Sequence, residues 1–321
     1  MKLDGIGLGT FPFSNVFGLN SEEEANKITH TFLGSGGRYI QTSPYYKGVE
    51  SLLGKILKNV PRQQYILGTL CVKDRQSKLS GKYASIIAQC EDSLRYLNME
   101  YIDLYLTSTP EAKDAPFSET IQAMLDLKKQ GKIREIGVCN VTLAQLKEYN
   151  FNGAVKYVQN RFSIIDQVQD REVRAYCQQK NIGLVPYNVI EWGLLTSKML
   201  GHWTLRENDL RKKVLPVFGD EPVQVLHQWI VHFLQPLAEE NHTTIEALAI
   251  HWVLSQPAVS VCPVGATKND QVLASLKALA LKGRTDIVKK MDQAYQELEV
   301  GVRAKYGKEL NDFLRNSYGK W

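Results

Sequence analysis

Eight short runs of β-forming residues, each followed by a helix-forming stretch, constrain the fold of this chain more than any other feature. They fall near 4–9 (DGIGLG), 38–42 (RYIQT), 65–70 (YILGTL), 101–107 (YIDLYLT), 133–138 (IREIGV), 155–159 (VKYVQ), 183–187 (GLVPY) and 259–264 (VSVCPV). Strands alternating with helices at this rhythm call for parallel pairing through helical crossovers. The simplest α/β fold with that count is a (β/α)8 TIM barrel. A doubly wound sheet is the rival, but no GxGxxG stands at a strand–helix junction, and GLGT at 7–10 is too short to supply one.

The clearest helix is SETIQAMLDLKKQGK. There Ser118 is placed to cap the first turn, Ile121, Met124, Leu125 and Leu127 share a face, and Gly131 suits a left-handed stop. The interval 192–258 breaks the rhythm. It must hold a long loop between strands seven and eight, expected over the barrel mouth, and the helix TIEALAIHWVLSQ. The tail KELNDFLRNSYGKW reads as helical and has room to fold over a substrate or to lie on the surface. No linker or low-complexity segment interrupts the chain, so residues 1–321 are expected to form one domain.

Several function classes are disfavoured at this level. The net charge of +5 comes from Lys and Arg spread along the whole length, whereas a nucleic-acid binder concentrates them. No apolar run is long enough to span a membrane. The five cysteines are odd in number and lack CxxC spacing, and no signal peptide is apparent, which together imply a reducing, cytoplasmic setting. The six histidines form no HxxxH or HExxH pair, so no metal site is expected.

Seven phrases, in order along nearly the whole chain, resemble the aldo-keto reductase family. They are GIGLGT (5–10), ESLLGKIL (50–57), YIDLYLTSTP (101–110), GKIREIGVCN (131–140), YVQNRFSIID (157–166), VPYNVIEWGLLTSK (185–198) and LSQPAVSVCPVGATKNDQV (254–272). The resemblance implies a (β/α)8 barrel that binds NADP across its C-terminal mouth and exchanges hydride with the carbonyl carbon of a small-molecule substrate.

Such chemistry needs a proton donor beside the nascent alkoxide. The family uses a tyrosine, assisted by a lysine paired to an aspartate and by a histidine. Matched by position, the aspartate falls on Gln41, the lysine on Leu70 and the histidine on Ser108. The tyrosine falls on Tyr46, with Tyr45 as the alternative. Loss of Asp and Lys together is self-consistent, since a lone carboxylate facing a leucine would be costly.

The cofactor positions are better kept. Asn140 and Gln159 match the carboxamide-binding amides, Cys139 stands where serine is usual, and Tyr187 matches the aromatic beneath the nicotinamide. Gly9 and Thr10 join this set. Gly193, Leu194, Leu195 and Thr196, together with Gly265, Ala266 and Thr267, follow strands seven and eight, where barrels often build phosphate sites. Lys268 matches the cation for the 2′-phosphate, which implies NADP, and Gln271 matches too. Ala274 and Ser275 depart from the usual adenine contacts. Phe11, Phe13, Phe17, Tyr45 and Trp192 suggest an aromatic-walled substrate site. Lys47, Lys73, Lys113, Asp114 and Glu191 are the spare ionisable groups near it.

Three functions follow. The first is an NADP-binding oxidoreductase with an altered site, suited to a specialised-metabolism intermediate. The second is a non-redox lyase, dehydratase or isomerase using Tyr46 with Glu191 or Ser108. The third is a catalytically silent NADPH-binding regulatory protein. Oligomeric state is not legible.

Overall fold

A computed structural model describes residues 2–17, 21–71, 80–108, 115–167, 171–201 and 221–315. Eight strands form one parallel sheet: β1 (Gly5–Gly9), β2 (Tyr39–Gln41), β3 (Ile66–Cys71), β4 (Ile102–Ser108), β5 (Ile133–Cys139), β6 (Val155–Gln159), β7 (Gly183–Leu184) and β8 (Val261–Gly265). From β1 to β7 each pairs with the next in sequence, and β1 also pairs with β8. The last seam closes where the Leu184 amide donates to the Ala258 carbonyl at 2.7 Å and the Ser260 amide donates to the Leu184 carbonyl at 2.8 Å. The chain is therefore a closed (β/α)8 barrel, as the strand count predicts.

β7 is shorter than the expected 183–187 because Pro186 has no amide to give the ladder. Pairing continues around it, with the Val185 amide donating to Val158 and the Tyr187 amide to Asn160.

Side chains alternate along each strand. One set, including Tyr39, Leu70, Leu106, Cys139, Tyr157 and Val185, packs into a buried cluster that fills the barrel. The other set, including Ile40, Leu67, Tyr105, Val138 and Val158, packs against the surrounding helices. Those helices are α1 (Glu22–Gly34), α2 (Val49–Ile56), α3 (Tyr83–Leu97), α4 (Phe117–Lys129), α5 (Leu143–Tyr149) and α6 (Arg171–Lys180). Ser21 caps α1 by accepting from the Glu24 amide, and Thr142 with Gln145 forms a capping box on α5. On α4 the expected face is buried at Ile121, Met124 and Leu127, and Gly131 takes the left-handed stop at φ 78°. Ser118 is not its cap. The helix starts one residue earlier, behind Pro116, whose fixed φ suits a helix entry.

The interval after β7 departs most from expectation. Residues 202–220 lie outside the described residues. The remainder folds as α7 (Glu221–Trp229), a π turn at Ile230–Leu234, α8 (Gln235–Glu240) and α9 (Ile245–Leu254). Pro236 lacks the amide that an α register would give the carbonyl four residues back, and the turn widens there. Leu226, Trp229, Ile230 and Leu234 join the outer core, and the loop expected over the barrel mouth lies largely outside the described residues. α10 (Asn269–Leu276) follows β8, and α11 (Thr285–Tyr306) follows in turn. Within the tail, α12 (Leu310–Arg315) stacks Phe313 on Tyr306 of α11 and buries Leu310 and Leu314 in the outer core, while residues 316–321 lie outside the described residues.

Candidate active site

The turn after β2 fixes the tyrosine at the mouth. Ser43-Pro44 opens it with proline preset for the second position, and the Tyr46 amide donates to the Ser43 carbonyl at 3.0 Å. The turn sends Tyr45 outward, 51% exposed. Tyr46 turns inward onto Phe11, with ring centroids 5.0 Å apart. Burial pushes its phenol above the ordinary value of 10, and the Cys139 thiol adds to the shift. Tyr46 is therefore a neutral hydrogen-bond donor across the physiological range.

Gln41 and Leu70 belong to the barrel core. Gln41 is 3% exposed. Its side-chain oxygen accepts from the Tyr39 hydroxyl, and its Nε2 donates to the Thr42 carbonyl at 2.9 Å. Its backbone carbonyl accepts from both the amide and the hydroxyl of Thr10, each at 3.0 Å. Both ends of the amide are thus tied down inside the barrel. Gly68 makes the arrangement possible, because a Cβ there would meet the Tyr39 hydroxyl at 2.5 Å and the Gln41 oxygen at 2.7 Å. Leu70 packs in the same interior cluster. Ser108 ends β4 in register with Cys139 of β5, and its side chain lies outside what is described. Lys73, Lys113 and Asp114 also lie outside the described residues, while Lys47 is exposed.

On the far side of the mouth, the Tyr187 hydroxyl donates to Asn140 Oδ1 at 2.7 Å. Asn140 holds φ 57°, a left-handed geometry asparagine tolerates. Its amide donates to the carbonyl of Gln159, itself buried at the end of β6. After β8, the Gln271 side-chain oxygen accepts from the Thr267 amide at 2.8 Å and its hydroxyl at 3.2 Å, which braces the loop 265–268. Gly265 and Lys268 are exposed there, with Lys268 at the start of α10.

Two expected contacts take a different form. Thr10 is fully buried and spends its hydroxyl on Gln41. In the loop after β7, Leu194 and Leu195 bury their side chains. The amides of Gly193, Leu194 and Leu195 all donate to Ile190 or Glu191 carbonyls. In this conformation they are committed to the turn.

Glu191 does not face the pocket. Its carboxylate is buried, accepting from Arg161 at 2.6 Å, Ser163 at 2.5 Å and Asn188 at 3.0 Å. Arg161 also pairs with Asp166 at 2.9 Å. A carboxylate so enclosed has no role as an acid or base partner for Tyr46. The residue beside it, Trp192, does reach the mouth: its indole lies 5.8 Å from Phe11 and 6.1 Å from Phe17, both edge-on. Phe11, Phe17, Tyr46 and Trp192 form one aromatic cluster, while Phe13 is buried in the core and Tyr45 is exposed.

Two contributors do not emerge from the sequence alone. Tyr39 stands two residues before Gln41, on the same strand face, so the period-2 rule could have paired them. Arg161 meets Glu191 across thirty residues, and no local pattern signals it. Among the described residues no cluster of His, Cys, Asp or Glu could hold a metal, and no helix is long and apolar enough to cross a membrane.

The Aldo/keto reductase family model matches residues 5–296. The NADH-specific methylglyoxal reductase of Escherichia coli (strain K12) is 30% identical over 305 residues, covering 87% of this chain and 90% of that protein. The aldo-keto reductase YhdN of Bacillus subtilis (strain 168) is 30% identical over 277 residues, covering 84% and 83%. Among solved structures, the glycerol dehydrogenase AKR11B4 from Gluconobacter oxydans superposes with a TM-score of 0.79 over 94% of this chain and 92% of that one. At 23% identity it speaks for the fold alone. The holo form of aldo-keto reductase AKR11C1 from Bacillus halodurans gives 0.67 at 27% identity, covering 91% of each chain.

Proposed function

The chain belongs to the aldo/keto reductase family, and on that premise we propose that it is an NADP-dependent oxidoreductase of neutral carbonyl compounds in which Tyr46 is the sole acid. The observation that carries this is the placement of Tyr46 at the mouth while Gln41 and Leu70 are enclosed in the barrel core.

The residues present fit a nicotinamide dinucleotide. Tyr187 offers a half-buried ring, Asn140 and Gln159 offer amides beside it, and the braced loop 265–268 with Lys268 offers phosphate contacts. Bound there, the nicotinamide would supply or accept the hydride. Tyr46 donates a hydrogen bond to the substrate oxygen and passes its proton to the alkoxide, which is a stronger base than any phenolate. The phenolate recovers its proton from water at the mouth. With Leu70 at the lysine position, no ammonium from β3 stabilises that phenolate, so the barrier is higher than in an assisted site. Such a site suits an already activated carbonyl, as in a reactive biosynthetic intermediate. The uncharged groups around Tyr46 also disfavour an anionic substrate, which would be desolvated without a partner. A cytoplasmic location fits the buried free cysteines.

The test is a titration of the protein with NADPH and NADH, followed by turnover with activated aldehydes and dicarbonyls. Micromolar NADPH binding and oxidation of NADPH by at least one substrate support the proposal. Binding of neither nucleotide would overturn it.

A further inference from the structure

The backbone of the loop after β7 runs against its own preference. Glu191, Trp192 and Gly193 hold φ values of 45°, 56° and 95°, and Asn188 just before them holds 62°. Bulky residues such as glutamate and tryptophan avoid the left-handed region, because Cβ crowds the following carbonyl. A strained turn persists only where its surroundings over-determine it, and such turns gather at functional sites.

Here the determining contact is the Glu191 carboxylate. Arg161, Ser163 and Asn188 donate to it at 2.6, 2.5 and 3.0 Å, and it is buried. The same Asn188 accepts from the Trp192 amide through its Oδ1 at 3.1 Å. The carboxylate therefore fixes the turn on one side and, through Asn188, the Trp192 backbone on the other. The strain delivers the indole to the mouth, edge-on to Phe11 and Phe17, with Phe11 in turn against Tyr46.

We infer that the Arg161–Glu191 ion pair is a positioning device that holds Trp192 as the specificity-determining wall of the substrate site, favouring neutral carbonyl compounds that carry a flat aromatic ring over small ones without it. Glu191 acts through Trp192 and touches no reacting atom. The chemistry favours a ring because Trp192 and Phe17 continue, through Phe11, the aromatic cluster that begins at Tyr46, and ring–ring contacts add to simple burial. The inference rests on the oxidoreductase reading only for its kinetic test.

The experiment compares wild type, Glu191→Gln, Trp192→Ala, Trp192→Phe and the Glu191→Gln/Trp192→Ala double variant. Turnover is followed with NADPH on 4-nitrobenzaldehyde and on methylglyoxal, and 4-nitrobenzaldehyde binding is measured separately by calorimetry without nucleotide. Trp192→Ala is expected to raise KM for the aromatic aldehyde about threefold to tenfold and to raise KM for methylglyoxal by a clearly smaller factor. Glu191→Gln should shift the aromatic KM in the same direction, Trp192→Phe should recover most of it, and the double variant should match Trp192→Ala alone, as expected for residues acting as one unit. If Glu191→Gln does not fold, Ser163→Ala removes one donor from the same carboxylate and should give a smaller shift in the same direction. Equal losses on both substrates, or additive effects in the double variant, would overturn the inference. If wild type turns over neither aldehyde but binds the aromatic one with the same variant pattern, the redox reading fails and the aromatic wall stands. Reduction of methylglyoxal with no binding of the aromatic aldehyde would overturn the aromatic wall and leave the redox reading intact.

Discussion

The Tyr39 hydroxyl donates to the side-chain oxygen of Gln41, two residues along the same inward face of β2. This pair occupies the space beside Gly68 and makes Gln41 part of the barrel core. Replacing Gln41 by Asp alone is predicted to place a buried carboxylate opposite Leu70 with no cation, costing about 3–5 kcal/mol. Burial would raise its pKa above the free value of about 3.9. The folded state would then hold the proton more tightly than the unfolded chain, so the penalty is absent at low pH and grows as pH rises. Urea unfolding at pH 4 and pH 8 reads this directly. Adding Leu70→Lys should return most of the lost stability at pH 8 and raise carbonyl reduction. No gain in stability from the second substitution would mean that the two positions do not face one another.

Tyr46→Phe removes the hydroxyl and keeps the ring against Phe11. Turnover is expected to fall by roughly 10²–10⁴ while NADPH affinity is unchanged. In the intact protein the phenol is needed in its protonated form, and burial raises its pKa above 10. The alkaline side of the rate profile should therefore stay flat as pH rises through 9 and 10. The same shift means that folding stability tied to Tyr46 is fully present below pH 10 and is lost only above it. A decline in kcat/KM centred near pH 8 would show that some other group supplies the proton.

Lys268 is exposed at the start of α10, beside a loop braced by Gln271. If it meets the 2′-phosphate, Lys268→Ala removes one charge-assisted contact, worth about 1.5–3 kcal/mol, which is at least tenfold in Kd. NADH lacks that phosphate, so its affinity should not move. Fluorescence titration of both nucleotides with both proteins decides this. Equal weakening of the two, or of neither, removes Lys268 from the phosphate site.

Much of this architecture is legible in the sequence because strand periodicity and turn residues are local. The eight β runs and the Gly131 stop follow from patterns within a few residues, whereas the choice of Tyr46 over Tyr45 comes only with the resemblance. What escapes is non-local or competes with a local rule. Pro116 starts α4 ahead of Ser118, and Pro186 interrupts β7 where apolar patterning alone extends it. Glu191 reads as a pocket acid until Arg161, thirty residues earlier, claims it. The helices α7 and α8 sit in an interval whose only plain signal is length. Gln41 and Leu70 show as departures in the sequence. That they are core residues is visible only once Tyr39 and Gly68 are brought beside them.

The hydrogen bond from Tyr187 to Asn140, 2.7 Å long, joins the ends of β5 and β7 across the mouth. It fixes the asparagine side chain by its oxygen, and we predict that the amide NH2 group donates to a nicotinamide carboxamide. Two substitutions separate this role from the backbone's own demands. Asn140→Gly removes the side chain but accepts φ 57° without penalty, whereas Asn140→Ala adds strain of about 1–2 kcal/mol. Both should weaken nucleotide binding to a similar degree, and only the alanine variant should also lose stability in urea unfolding. Tyr187→Phe releases the Asn140 oxygen and keeps the ring, so it should weaken nucleotide binding less than either and leave stability within about 1 kcal/mol. Nucleotide affinity unaltered in Asn140→Gly would remove this pair from the cofactor site and make it a tie between strand ends.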